Sequence, residues 1–319
     1  MIWPSVFKKN TDGFSFAAEW FCSSDCLAAL FPMNPRRRQF SLSYADDRLK
    51  PTVKRKNHIF VNETVILDLQ FFSPEVFMDA IKTINLTKTY QNLVAVDRLN
   101  LQIKQGELFS LLGVNGAGKT TVIKMLSCLT RPTDGDALLG GNSVLCDAQA
   151  IKQIIGVAPQ ETAVAPNLTV KENLELMCGI HGFSREKTQE RIQALAQQYN
   201  LHEVLSKKAG KLSGGWQRRV SIAMALISEP EILFLDEPTL GLDVIARSEL
   251  WELIGNMKGT ITIILTTHYM EEAEALSDRI GIMKDGKLLV VGTARQLMEL
   301  TQTDKFEAAF ISIVKEGKK

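Results

Sequence analysis

The stretch Gly113-Val114-Asn115-Gly116-Ala117-Gly118-Lys119-Thr120-Thr121 puts three glycines, one lysine and two hydroxyls into nine residues. Its spacing is G-x-x-x-x-G-K-[ST], a loop that grips polyphosphate. The glycines let backbone N–H groups converge on phosphate oxygens, and a following helix points its positive end at them. Lys119 then reaches the β- and γ-phosphates, and Thr120 is placed to ligate Mg²⁺. The bare pattern arises by chance in about one in a hundred chains of this length, so its setting decides. It follows the apolar run 108–112 and precedes the helical run 122–129, the strand–loop–helix order that a P-loop requires.

A second constellation is Glu231-Ile232-Leu233-Phe234-Leu235-Asp236-Glu237-Pro238. A buried-type strand ends there in two adjacent carboxylates, and a parallel sheet presents such ends at its ligand-binding edge. Asp236 can hold Mg²⁺ through water, and Glu237 can accept a proton from an attacking water. Alone, an acidic pair after an apolar run is more often a solvated strand end. Beside a P-loop, it forms the edge of a nucleotide hydrolase.

A third segment, Leu212-Ser213-Gly214-Gly215-Trp216-Gln217-Arg218-Arg219, opens an alanine- and isoleucine-rich helical run at 220–227, just before the acidic strand. Taken singly it is a turn and helix cap. Together with the P-loop and the acidic strand it resembles the signature of ABC ATPases, and further family markers stand in the family's order. These are Tyr90 ahead of the P-loop, Gln160 in Val157-Ala158-Pro159-Gln160-Glu161, Leu242-Asp243, and His268 in Leu265-Thr266-Thr267-His268. The resemblance covers roughly residues 82–300.

The resemblance implies an α/β fold: a P-loop NTPase, RecA-like core with a mostly parallel sheet, an antiparallel β subdomain and an inserted α-helical subdomain. It implies ATP and Mg²⁺ as ligands. ATP would be held by Tyr90, Gly113, Asn115, Gly116, Gly118, Lys119, Thr120, Thr121 and Asp243. Ser213, Gly214 and Gly215 would cap it from a second nucleotide-binding domain. Thr120, Gln160 and Asp236 would take the metal, and Glu237, His268, Gln160 and Lys119 would carry hydrolysis. Trp216 stands where many members have Gln, but Ser213 and Gly215, the residues expected to face the γ-phosphate, are kept.

The run 266–274, followed by Asp278-Arg279-Ile280, resembles the group serving ABC-2-type exporters, including drug-resistance ATPases. That implies a separate membrane permease as partner, contacted by the Gln160 loop and the helical region after Pro166, and a place at the cytoplasmic face of the membrane. The alternative is a soluble ABC ATPase of an assembly or nucleic-acid system. Nucleic-acid members carry two nucleotide-binding domains or a long coiled coil between P-loop and signature. Here one set of motifs is present, with 99 residues from Gly113 to Leu212.

These residues need elements to position them. From residue 78 onward, strand-like runs at 81–86, 108–112, 232–235, 261–265, 280–283 and 287–291 alternate with helical stretches, as in an α/β domain around a largely parallel sheet. Residues 169–230 read as an inserted helical subdomain. Of the 319 residues, 45% are hydrophobic and 23% charged, enough for a full core, and the formal charge of +1 recruits neither nucleic acid nor an anionic membrane. Five scattered cysteines argue for reduced thiols. Glu19 and Asp25 interrupt the longest apolar stretch, 14–33, so no membrane span or secretory signal is expected.

Residues 1–77 hold 13 of the 23 aromatics without a sustained period and read as an N-terminal extension outside the working ATPase. Cys22 and Cys26 have no second close Cys/His pair and are not expected to bind metal. Residues 78–302 are expected to form the nucleotide-binding domain, and 303–319 a helical tail.

Overall fold

The computed structural model describes residues 60–61, 64–65 and 79–316, in two units that divide between Phe72 and Ser73. In the first, strands β1 (Phe60–Val61) and β2 (Thr64–Val65) pair antiparallel, Phe60 opposite Val65. The rest of the expected extension, with Cys22, Cys26 and the apolar stretch 14–33, lies outside the described residues.

The second unit begins with β3 (Asp79–Tyr90), β4 (Leu93–Leu99), β5 (Gln102–Lys104), β6 (Leu108–Gly113), α1 (Lys119–Leu126), β7 (Asp134–Leu139) and β8 (Asn142–Ser143). Then follow α2 (Ala148–Ile154), β9 (Ile155–Ala158), α3 (Val170–Ile180), α4 (Arg185–Gln198), α5 (Gly214–Ala225) and β10 (Ile232–Asp236). The chain continues through α6 (Val244–Gly255), β11 (Thr262–Thr267), α7 (Met270–Leu276), β12 (Arg279–Lys284), β13 (Lys287–Gly292), α8 (Ala294–Thr301) and α9 (Phe306–Glu316).

One sheet has the order β13-β12-β6-β11-β10-β9 and is parallel except for β13. Every residue of β6, β10 and β11 is buried, because these strands are apolar on both faces and both faces are covered. Alternate residues serve two cores. Leu233, Leu235, Ile263 and Leu265 pack with the helical side, α3 to α6. Phe109, Leu111, Ile232, Phe234 and Ile264 pack with α1 and the second sheet. That sheet is antiparallel, order β4-β3-β7-β8, with β5 also beside β3.

Register places the site. Asp236 pairs with Thr266, and Thr266 and Thr267 pair with Leu111 and Leu112. The carboxyl ends of β6, β10 and β11 therefore finish level, and Gly113, Glu237 and His268 leave the sheet at one edge.

The helical insert is fixed by local sequence. The Thr169 hydroxyl accepts from the Glu172 N–H while the Glu172 carboxylate accepts from the Thr169 N–H, a capping box that starts α3. Ser184 caps α4. Helix α5 starts at Gly214, six residues before the apolar run at 220–227, and α1 starts at Lys119, three before its own run. Apolar periodicity marks only the buried face of a helix, and neither first turn carries it: α1 opens on Lys-Thr-Thr and α5 on Gly-Gly.

At the C-terminal end, α9 buries Phe306, Phe310 and Ile313 against Ile280 and Ile282 of β12, and Lys284 Nζ donates to the Val314 carbonyl at 2.6 Å. Among the described residues no helix is long and apolar enough to cross a membrane.

Candidate nucleotide site

A cavity of about 680 Å³ opens at the level strand edge, lined by Tyr90, Asn115, Gly116, Gly118, Lys119, Thr120, Thr121, Gln160, Glu237 and His268 among others. The loop between β6 and α1 makes its floor. Gly118, the N-cap of α1, has φ +102°, and an added Cβ would stand 2.4 Å from the Ala95 carbonyl oxygen. Only glycine meets both conditions. The first turn of α1 carries no acidic side chain of its own, so its N–H groups are left for an anion in the cavity.

Lys119 is 5% exposed and turned inward. Its Nζ donates to the Gly113 carbonyl at 2.7 Å and the Val114 carbonyl at 3.3 Å, and lies 3.5 Å from Glu237 Oε1. Burial pulls its pKa below the usual lysine value, against the charges of Glu237 and Asp236. A phosphate oxygen replacing the two carbonyls would meet a charge already desolvated and aimed.

Asp236 collects hydroxyls. Thr120 Oγ1 donates to its Oδ1 at 3.3 Å, and Thr266 Oγ1 donates to the same oxygen. With Gln160 on the cavity wall, the available donors are all oxygens of hydroxyl, carboxylate and amide, the set a hard cation such as Mg²⁺ takes when phosphate completes its shell. Among the described residues no three His, Cys, Asp or Glu side chains form a metal cage. The residues present thus fit a cation shared with a bound nucleotide.

Glu237 follows β10 with φ +46°, a left-handed backbone that a side-chain-bearing residue adopts at a cost of about 1 kcal/mol or more. Its N–H holds that conformation by donating to the Thr266 carbonyl (3.0 Å) and hydroxyl (3.1 Å). The carboxylate is thereby set between Lys119 and His268, whose Nδ1 lies 3.1 Å from Oε2. A carboxylate offers only acceptors, so Nδ1 carries the proton in this contact.

Tyr90 stands on the cavity wall 43% exposed, with Lys88 Nζ 5.1 Å from its ring centroid. Its outer face remains open to a stacking ring. Ser213, Gly214 and Gly215 do not line the cavity: they form the start of α5, and the Ser213 side chain caps nothing there. Asp243 is also absent from it. Its Oδ1 accepts from the Ile245 and Ala246 N–H groups at 2.9 Å, which makes it the N-cap of α6.

Sequence reasoning passed over several residues of the site. Asp285 and Gly286, in the β12–β13 turn, line the cavity. Thr266 bonds Asp236 and the Glu237 backbone; it stands in the Thr-Thr-His run, where the sequence assigns a site role to the histidine and none to this threonine. Glu272 is fully buried, accepting from Thr239 Oγ1 (2.9 Å) and Trp251 Nε1 (3.1 Å), and ties the segment after Glu237 to the helix after His268.

A glycine-rich loop between strand and helix, an acidic strand edge and a histidine beside it on a parallel sheet, with a helical insert and an antiparallel flank, define a P-loop ATPase cassette. Comparison with known proteins narrows the class. The family described as ABC transporter matches residues 96–240. The chain is 40% identical over 213 residues to the doxorubicin resistance ATP-binding protein DrrA of Mycobacterium tuberculosis, covering 66% of this chain and 64% of that protein. It is 38% identical over 221 residues to the daunorubicin resistance ATP-binding protein DrrA3 of Streptomyces coeruleorubidus, covering 69% and 70%. It also superposes on the dimeric ATP-binding cassette MJ0796, solved in a post-hydrolysis state with ADP and Pi. That match has TM-score 0.60 and 30% identity, over 67% of this chain and 98% of that one. The chain belongs to the ABC transporter ATP-binding family.

Proposed function

We propose that this chain hydrolyses ATP as the nucleotide-binding subunit of an exporter, pairing with a second such domain and driving a separate membrane-spanning permease. Residues 78–302 form the working cassette, 303–319 add a C-terminal helix, and 1–77 lie outside it. The single observation that carries this reading is the division of the site: Lys119, Glu237 and His268 share one cavity, while Ser213 and Gly215 stand outside it at a helix start that the Ser213 side chain leaves uncapped. A second copy placed head to tail brings that helix start onto the γ-phosphate, and two-fold symmetry makes both sites equivalent.

Within one site, the P-loop N–H groups and Lys119 hold the β- and γ-phosphates, and Tyr90 stacks on the adenine. Glu237 takes the proton from the attacking water at a carboxylate oxygen, and His268 keeps that carboxylate oriented. Thr120, Asp236 and Gln160 would hold Mg²⁺, which neutralises phosphate charge when bound. The names of the resistance proteins support export of drug-like compounds, and with a permease as partner the chain sits at the cytoplasmic face of the membrane without contacting nucleic acid.

Phosphate release from Mg-ATP tests the reading. The rate per chain should rise with chain concentration, as two copies must meet, and Lys119→Ala should abolish it. A rate per chain independent of concentration would contradict the divided site.

A further inference from the structure

Helix α5 carries Ser213 and Gly215 at its start, and its flank is fastened at two points to the strand that delivers Gln160. At Gly156 in β9, an added Cβ would lie 2.3 Å from the Ala225 carbonyl oxygen, so helix and strand meet backbone to backbone. About two turns earlier on α5, Arg218 is 4% exposed. Its Nη1 donates to the Pro159 carbonyl and its Nη2 to the Gln160 carbonyl, both at 2.6 Å. Burial lowers the guanidinium's pKa, and the charges of Asp236 and Glu272 oppose that. A planar fork holding two consecutive carbonyls fixes the direction of the loop as well as its distance, which a lysine cannot reproduce.

We propose that Arg218 is a positioning residue that locks the Gln160 loop to α5, so that divalent-cation binding beside Gln160 and the placement of Ser213 and Gly215 form one equilibrium. This rests on the reading of the cavity as a Mg-ATP site. Ser213 lies five residues before Arg218 at the start of one continuous helix, so a shift of the Gln160 carbonyl is carried to it through a rigid element. Linkage makes the effect reciprocal: placing the helix start also places the metal edge. Arg218 does not line the cavity, so it acts only through the loop.

The test uses the full chain with a non-hydrolysable ATP analogue and Mn²⁺, whose bound fraction is read by electron paramagnetic resonance. Arg218→Met should weaken Mn²⁺ about tenfold or more, with metal-free binding of the analogue within twofold of the parent. Arg218→Lys, which keeps the buried charge but offers one nitrogen to two carbonyls, should fall between them and carries the same comparison if the methionine variant melts early. Gln160→Ala keeps the accepting carbonyl but removes the amide, so Arg218→Met added to it should weaken Mn²⁺ no further. Mn²⁺ affinity within twofold of the parent in both Arg218 variants, or effects that multiply in the double variant, would overturn the inference alone. A parent chain that binds no analogue would overturn the functional reading and this inference with it.

Discussion

His268 Nδ1 lies 3.1 Å from Glu237 Oε2, and the other oxygen of that carboxylate faces Lys119 Nζ at 3.5 Å. The imidazole and the ammonium thus hold the carboxylate from opposite oxygens, while its backbone is pinned by Thr266. His268→Ala should leave ATP affinity nearly unchanged and lower single-turnover hydrolysis by about a hundredfold. A loss of affinity with hydrolysis intact would mean that the histidine serves binding instead.

Thr120 meets Asp236 through a single hydroxyl hydrogen bond at 3.3 Å. Thr120→Val keeps the branched shape and removes the oxygen, so the Mg²⁺ concentration for half-maximal hydrolysis should rise by about tenfold or more. Binding of ATP in the absence of Mg²⁺, measured by titration calorimetry, should stay as it is.

Glu272 yields a prediction about pH. Burial raises its pKa above the ordinary 4.5, outweighing hydrogen bonds from Thr267, Thr239 and Trp251 and the charge of Arg247. Below pH 4.5 the group is neutral folded or unfolded. Above it, the unfolded carboxyl ionises while the folded one keeps its proton, so stability falls as pH rises toward the folded pKa. Glu272→Gln has no such proton, and its stability relative to the parent should climb from pH 4.5 upward in thermal melts. Glu272→Ala strands the Thr239 hydroxyl and the Trp251 N–H and should cost about 3 kcal/mol.

The parts of this site that the sequence makes legible are those whose chemistry is local. Strand, loop and helix follow one another through 108–126, so the placement of Lys119 and Thr120 is written in consecutive residues. Asp236 and Glu237 likewise end a strand that can be read directly. Arg218, Thr266 and Glu272 are different, because their partners at Gln160, Asp236 and Thr239 lie 58, 30 and 33 residues away in the chain. Those pairs exist only once β9, β10 and β11 are in register with α5 and α7 packed on them. Asp243 shows the opposite case: similarity to a family suggests a ligand contact, while within one chain the side chain caps α6.

In the proposed mechanism ATP joins two copies, with Ser213 and Gly215 of one closing the cavity of the other. Glu237→Gln keeps the size and hydrogen bonding of the side chain but removes its ability to take a proton, so ATP should bind, persist and hold the pair together. Lys119→Ala should lose the nucleotide instead. In size-exclusion chromatography with Mg-ATP, Glu237→Gln should elute as a dimer and Lys119→Ala as a monomer. A Glu237→Gln chain that binds ATP yet elutes as a monomer at high concentration, both alone and with its permease, would contradict that mechanism.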